Sequence, residues 1–155
     1  MKEGGTAHWL VQGPGWLLFL YLVFAQAIPA FDYQLGIDMG TQEPATRISE
    51  VGVAFWRGFA WGDLLVYIPL LGLGLFGHAR GRRWGIPALA AALGITIYWP
   101  LVCLAAVVAA RGAQGWHLND ETAYWVVLPL IAAWGAIALW LIGARLNSTS
   151  PPGDP

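Results

Sequence analysis

"FAWGDLLVYIPLLGLGLFG", residues 59–77, decides the fold class of this chain. The stretch is apolar except for one carboxylate, Asp63, and it has the length of about 20 residues that a helix needs to cross roughly 30 Å of hydrocarbon. We interpret it as a membrane span. Its acidic side chain raises a functional question, because an unpaired carboxylate buried in hydrocarbon costs several kcal/mol.

The composition of the 155-residue chain also indicates a membrane protein. Hydrophobic residues make up 57% of the chain and charged residues 11%, whereas about 25% of the residues of a soluble domain are charged. The chain is tryptophan-rich, and its ten tryptophans are typical of the aromatic belts at the two faces of a bilayer. The net charge of -1 does not favour a nucleic-acid partner.

Three further stretches qualify as spans, so that the predicted spans cover about residues 15–31, 59–77, 85–110 and 122–143. The sequence therefore predicts an all-α polytopic membrane protein, a four-transmembrane-helix bundle. We expect one integral membrane domain over residues 1–146 and a disordered cytoplasmic tail over residues 147–155. One alternative concerns the first span: "AQA" at residues 25–27 fits a signal-peptidase site, and cleavage there would leave three spans.

The loop "HARGRRWG", residues 78–85, sets the expected orientation. It contains Arg80, Arg82 and Arg83, the densest positive cluster in the chain, and basic loops stay in the cytoplasm. We expect the protein in the plasma (inner) membrane with both termini cytoplasmic. The opposite face receives Asp32, Asp38, Glu43, Glu50, Asp120 and Glu121.

The connection between the first two spans is the only long polar one. Its first half, around Gly36 and Gly40, has turn chemistry. From Pro44 onward the pattern becomes helical. Apolar residues recur there at spacings of three and four, at Ile48, Val51, Phe55 and Phe59. We predict an amphipathic interfacial helix in this outer loop that leads into the second span, with or without a break.

Arg57 and Asp63 are the two charges at the start of the second span. The long side chain of Arg57 can snorkel to the headgroups and stack on Trp61. Asp63 lies about a turn deeper. The two residues are about 120° out of register on a straight helix, so a direct ion pair would be strained. Asp63 is the leading functional candidate, and the alternative is a structural bond to Arg57 or to loop backbone.

Aromatic residues extend this candidate site. Tyr67 follows Asp63 by one helical turn, and Tyr98 and Trp99 lie beside Pro100, which should kink the third span near Thr96. Asp63, Tyr67, Tyr98 and Trp99 can line an outward-facing pocket for a lipid or small apolar ligand. Alternatively, they only hold the helices together.

Three classes of function follow from these residues. The preferred hypothesis is a non-enzymatic protein that packs with itself or with a membrane partner and binds a lipid or apolar ligand. The first alternative is a small membrane enzyme that uses outer-face groups such as Glu43, Glu50 and Asp63, with Arg57 beside them. The second alternative is a proton or ion pathway through Asp63.

Cofactor and metal chemistry find little support in the sequence. It contains no phosphate-binding glycine loop, nucleophile elbow or HExxH pattern. The histidines, His8, His78 and His117, are dispersed along the chain, so we expect no shared metal site. Asp32, Asp38 and Glu43 offer oxygen ligands, but their spacing differs from that of a calcium-binding EF-hand loop. We therefore predict no cofactor and no metal.

Overall fold

A computed structural model describes the backbone of residues 5–118 and 120–149, with side chains as far as residue 144. All regular elements in these residues are helices. They are α1 (Thr6–Phe31), α2 (Tyr33–Asp38), α3 (Ala45–Ala79), α4 (Gly85–Ala110) and α5 (Thr122–Thr149). The predicted all-helical architecture is confirmed, and α1, α3, α4 and α5 are long and apolar enough to cross a membrane.

The first two long helices begin earlier than the predicted spans. Helix α1 starts at Thr6 and continues through Pro14. Helix α3 starts at Ala45, after the extended residue Pro44, so the predicted loop helix and the second span form one helix. Its one break is at Ser49, where φ is 64° and ψ is 166°.

The first half of the long connection differs from the predicted turn. Gly36 lies inside helix α2, because Asp32 begins that helix by accepting a hydrogen bond from the Leu35 amide at 3.0 Å. The turn lies at Gly40, where φ is 71°. At the other end of the chain, helix α5 continues to Thr149, and the rest of the predicted tail, residues 150–155, lies outside the described residues.

The four long helices pack in chain order, each against the next. The indole Nε1 of Trp134 on α5 donates to the Leu10 carbonyl of α1 at 2.9 Å, which closes the arrangement. Fully buried leucines from α1, α3 and α4 fill the centre: Leu22, Leu71, Leu75, Leu89 and Leu93. We call the end with residues 32–44 and 111–121 the acidic end, and the end with residues 80–84 the basic end.

Helices α3 and α4 approach closely toward the basic end because glycines face the contact. A Cβ atom on Gly74 would lie 2.6 Å from the Leu89 Cα. Gly77 and Gly85 also meet backbone to backbone. Small residues allow this approach in a membrane protein, where close packing replaces the hydrophobic effect between helices. The candidate site described below lies between the same two helices, α3 and α4.

Candidate ligand-binding groove

Asp63, Tyr67, Tyr98 and Trp99 line one groove between helices α3 and α4. The groove has a volume of about 500 Å³, and we call it the lateral groove. Its other walls are apolar or glycine: Phe55, Gly58, Phe59, Gly62, Val66 and Ile95. Tyr98 at the rim is 65% exposed. The groove therefore opens on the flank of the bundle, where acyl chains would surround a membrane-embedded helix pair.

Asp63 is the polar group in the wall of this groove. Its side chain is 4% exposed, and its Oδ2 has no hydrogen-bond partner among the described residues. A buried polar atom of this kind normally has a partner, from the protein, from water or from a ligand. Asp63 is thus the one acid among the three described residues whose buried side-chain polar atom lacks a partner.

A local widening of helix α3 presents Asp63. The five residues Asp63–Tyr67 form a π-helical stretch that directly precedes Ile68 and Pro69. Proline lacks an amide hydrogen and its ring collides with the carbonyl four residues earlier, which disturbs the regular helical hydrogen bonds before Pro69, whereas helix α4 continues as an α-helix through Pro100. Helix α1 repeats the pattern, with a π-helical stretch at Val23–Ala27 just before Pro29. The two widened stretches pack against each other, and such stretches are frequent at functional sites.

The expected partner of Asp63 is bonded elsewhere. The Arg57 Nε donates to the Ala30 carbonyl at the end of α1, at 3.4 Å. Trp61, predicted to stack on Arg57, instead packs edge-to-face on Phe31 with ring centroids 5.1 Å apart. The structural alternative for Asp63, a bond to Arg57 or loop backbone, therefore has no hydrogen bond to support it in the described residues.

The three aromatic residues of the groove have different surroundings. The hydroxyl groups of Tyr67 and Thr96 lie 2.6 Å apart, and Tyr67 is fully buried. Tyr67 therefore offers its ring to the groove while its hydroxyl bonds to α4. Trp99 is buried against Cys103 and Leu128. Tyr98 lies at the open rim and is the most accessible of the three.

The outer-face candidates do not converge on Asp63. Glu43 pairs with Arg47 at 3.1 Å, and its backbone carbonyl accepts from the Tyr33 hydroxyl at 3.1 Å. Burial, and secondarily the charge of Glu43, raise the pKa of Tyr33 to about 12. Glu50 is exposed and lines neither the lateral groove nor the other cavity described below.

Another acid of the acidic end, Glu121, joins α4 to α5. The Arg111 guanidinium donates to the Glu121 carboxylate, which also accepts from the Trp125 indole at 3.0 Å. These bonds, that from Arg111 first, lower the pKa of Glu121. Asp120 accepts from the Thr122 amide at 2.8 Å, at the start of α5.

The basic end carries a polar cluster that the sequence analysis missed. The rings of His8 and His78 stack with centroids 5.4 Å apart, and the Gln12 Nε2 lies 2.8 Å from the His78 Nδ1. The prediction that the histidines are dispersed is wrong for this pair, because α1 begins at Thr6 and carries His8 into the bundle. His117 lies at the acidic end. The described residues contain no group of three or more metal-binding side chains.

Comparisons with protein families, curated proteins and solved structures found no match for this chain. The candidate site is therefore defined by its geometry. Its lining follows from the spacing of Asp63 and Tyr67 by one helical turn and from the position of Tyr98 and Trp99 beside Pro100. Its widened turn precedes Pro69, as the widened turn of α1 precedes Pro29, although Pro14 and Pro100 lie in regular α-helix.

Proposed function

We propose that this protein is an integral protein of the plasma (inner) membrane that binds a lipid in the lateral groove and catalyses no reaction. One observation carries the proposal: Asp63 lines an apolar groove, and one of its carboxylate oxygens is buried with no partner in the described residues. Ligand sites commonly combine an apolar lining with a small number of polar groups that fix orientation. Four helices with the length and composition of membrane spans support the membrane location.

The lining of the groove indicates the chemistry of the ligand. Val66, Ile95 and Phe59 suit an acyl chain that lies along the flank of the bundle. Asp63 suits a hydrogen-bond donor at the polar end of that chain, such as a hydroxyl or an amine. A membrane lipid with such a donor just below its headgroup matches both features.

The orientation of the protein is part of the proposal. The arginines of residues 80–84 would face the cytoplasm, with both termini on the same side. The acidic end would then face outward, and the first turns of helix α3 would lie at that interface. Arg57, exposed and bonded to the end of α1, supports this depth.

Self-association or packing with a membrane partner completes the proposed role. Helix α5 turns exposed apolar residues away from the bundle, among them Leu130, Ile137 and Trp140. A surface of this kind suits either lipid or another helix.

The two alternatives have weaker support. An enzyme would need its carboxylates to converge, but Glu43 is paired with Arg47 and Glu50 lies outside the groove. A proton pathway would need polar groups beyond Tyr67 and Thr96. The next turns toward the basic end instead carry fully buried leucines, such as Leu71 and Leu93.

Native mass spectrometry of the gently extracted full chain tests the proposal. Wild type should retain a lipid, and Asp63→Asn should retain about tenfold less, because a hydrogen bond to a charged group contributes about 1.5–3 kcal/mol. Glu50→Gln is the matched control, since it removes an exposed carboxylate outside the groove, and it should retain lipid like wild type. Equal lipid in all three proteins, or none in any, would contradict the proposal.

A further inference from the structure

A second cavity lies at the acidic end, where loop residues 40–43 form part of its lining. Its volume is about 270 Å³, and we call it the aromatic cavity. Five aromatic side chains line it, from all four long helices: Tyr21, Trp56, Phe59, Trp99 and Tyr124. Glu43 is the one charged residue among the described residues that line this cavity.

The aromatic rings come together from distant parts of the chain. Trp56 of α3 lies with its ring centroid 6.4 Å from that of Tyr124 on α5 and 6.0 Å from that of Phe59. Each ring carries negative potential on its faces. Several such rings around one small space form the arrangement that attracts cations, and quaternary ammonium groups most characteristically.

Two polar groups of the aromatic cavity add to this chemistry. The Trp56 Nε1 is buried and has no hydrogen-bond partner in the described part of the chain, and a buried donor of this kind normally has one. The Glu43 side chain is 23% exposed, while its partner Arg47 is 62% exposed. An ion pair with so exposed an arginine contributes little free energy, so a ligand cation can share or replace Arg47.

We propose that the aromatic cavity binds an alkylated ammonium group, with Glu43 as its counter-charge. The cavity is smaller than the roughly 300–1,000 Å³ of sites for drug-sized ligands, which suits a small cationic group. The group can belong to a free solute or to a choline-type lipid headgroup. The proposal does not rest on lipid binding in the lateral groove, because Glu43, Trp56 and Tyr124 line the aromatic cavity alone.

Choline and its neutral isostere 3,3-dimethylbutan-1-ol provide the decisive comparison. Each would be titrated into the full chain in maltoside micelles, with saturation-transfer NMR on its methyl signal. Choline should bind saturably and about tenfold more tightly than the isostere, because only choline gains from the rings and the carboxylate. Glu43→Gln should reduce this preference to the contribution of the rings, Trp56→Leu should weaken choline binding, and Glu50→Gln should behave as wild type.

A second pair of ligands identifies the source of the group. Dihexanoylphosphatidylcholine and dihexanoylphosphatidylglycerol share their chains and differ in the cation. Binding of free choline that depends on Glu43 supports a solute, and Glu43-dependent binding of the phosphatidylcholine alone supports a headgroup. If both members of each pair bind equally, if none binds, or if Glu43→Gln changes nothing, the proposal is overturned. The wild-type comparison within each pair does not depend on the folding of any variant.

Discussion

The hydroxyl groups of Tyr67 and Thr96, 2.6 Å apart, join helices α3 and α4 beside the lateral groove. The Thr96 hydroxyl donates to the Ala92 carbonyl at 2.9 Å. Its oxygen is therefore the acceptor for Tyr67, and the Tyr67 hydroxyl is the donor. This bond fixes the ring that forms one wall of the groove, one helical turn from Asp63.

Removal of this bond should destabilise the bundle by a measurable amount. Tyr67→Phe and Thr96→Val should each lower the free energy of unfolding. Their coupling energy in a double-mutant cycle should be about 0.6–1.7 kcal/mol, the range for hydrogen bonds between membrane helices. Unfolding in mixed micelles with increasing denaturing detergent measures these values. Tyr98→Phe, at the exposed rim, is the control and should change stability by less than about 0.5 kcal/mol. A coupling energy near zero would show that the bond contributes nothing.

Because α3 and α4 approach closely, the loss of stability on replacing a glycine should depend strongly on the position of that glycine. Gly74→Ala should destabilise the protein by about 1–3 kcal/mol, because the new methyl group would meet the Leu89 backbone and the helices would have to separate. Gly94→Ala is the matched control, since a Cβ there meets nothing within 4 Å. The same unfolding assay compares the two variants. Equal effects at both positions would contradict the packing of this helix pair.

The ion pair between Arg111 and Glu121 predicts that the protein loses stability in acid. The pKa of Glu121 is lower in the folded state than in the unfolded state, where it is about 4.3. The ion pair therefore stabilises the folded state fully above a pH of about 4.3. This contribution disappears as the pH falls through the pKa of Glu121 in the folded state. The thermal midpoint of wild type should therefore fall more between pH 6 and pH 3 than that of Glu121→Gln. If the thermal midpoints of the two proteins fall equally with pH, Glu121 does not contribute to the loss of stability in acid.

Thiol labelling tests the proposed orientation. With Cys103→Ser as background, Ala79→Cys marks the basic end and Gln114→Cys marks the acidic end, and both positions are exposed. A membrane-impermeant thiol reagent added to intact cells should label the Gln114→Cys protein, and the Ala79→Cys protein only after lysis. The reverse pattern would invert the proposed topology.

The sequence predicted the helices well because their signal is length and apolar composition. It also indicated the members of the lateral groove, since Asp63 and Tyr67 are four residues apart and Tyr98 and Trp99 are adjacent. It could not predict which helix faces meet. The faces of α4 and α5 are almost uniformly apolar, so periodicity does not select the partner of Thr96. Glu43 and Trp56 reach one cavity through the turn at Gly40, which the sequence indicates, and the break at Ser49, which has no distinctive pattern.

Photo-crosslinking with a lipid that carries a diazirine on its acyl chain tests whether the lateral groove binds lipid at Asp63. The lipid would be reconstituted with wild type and with Asp63→Asn, and the labelled peptides would be identified by mass spectrometry. We predict that the label on wild type concentrates on residues 55–67 and 95–99. Labelling there should exceed labelling at Leu130 and Ile137, which are exposed on α5 outside the groove. In Asp63→Asn, labelling of the groove should fall to the level of these two positions. Labelling spread evenly over all exposed apolar residues, and unchanged in the variant, would contradict a lipid site at Asp63.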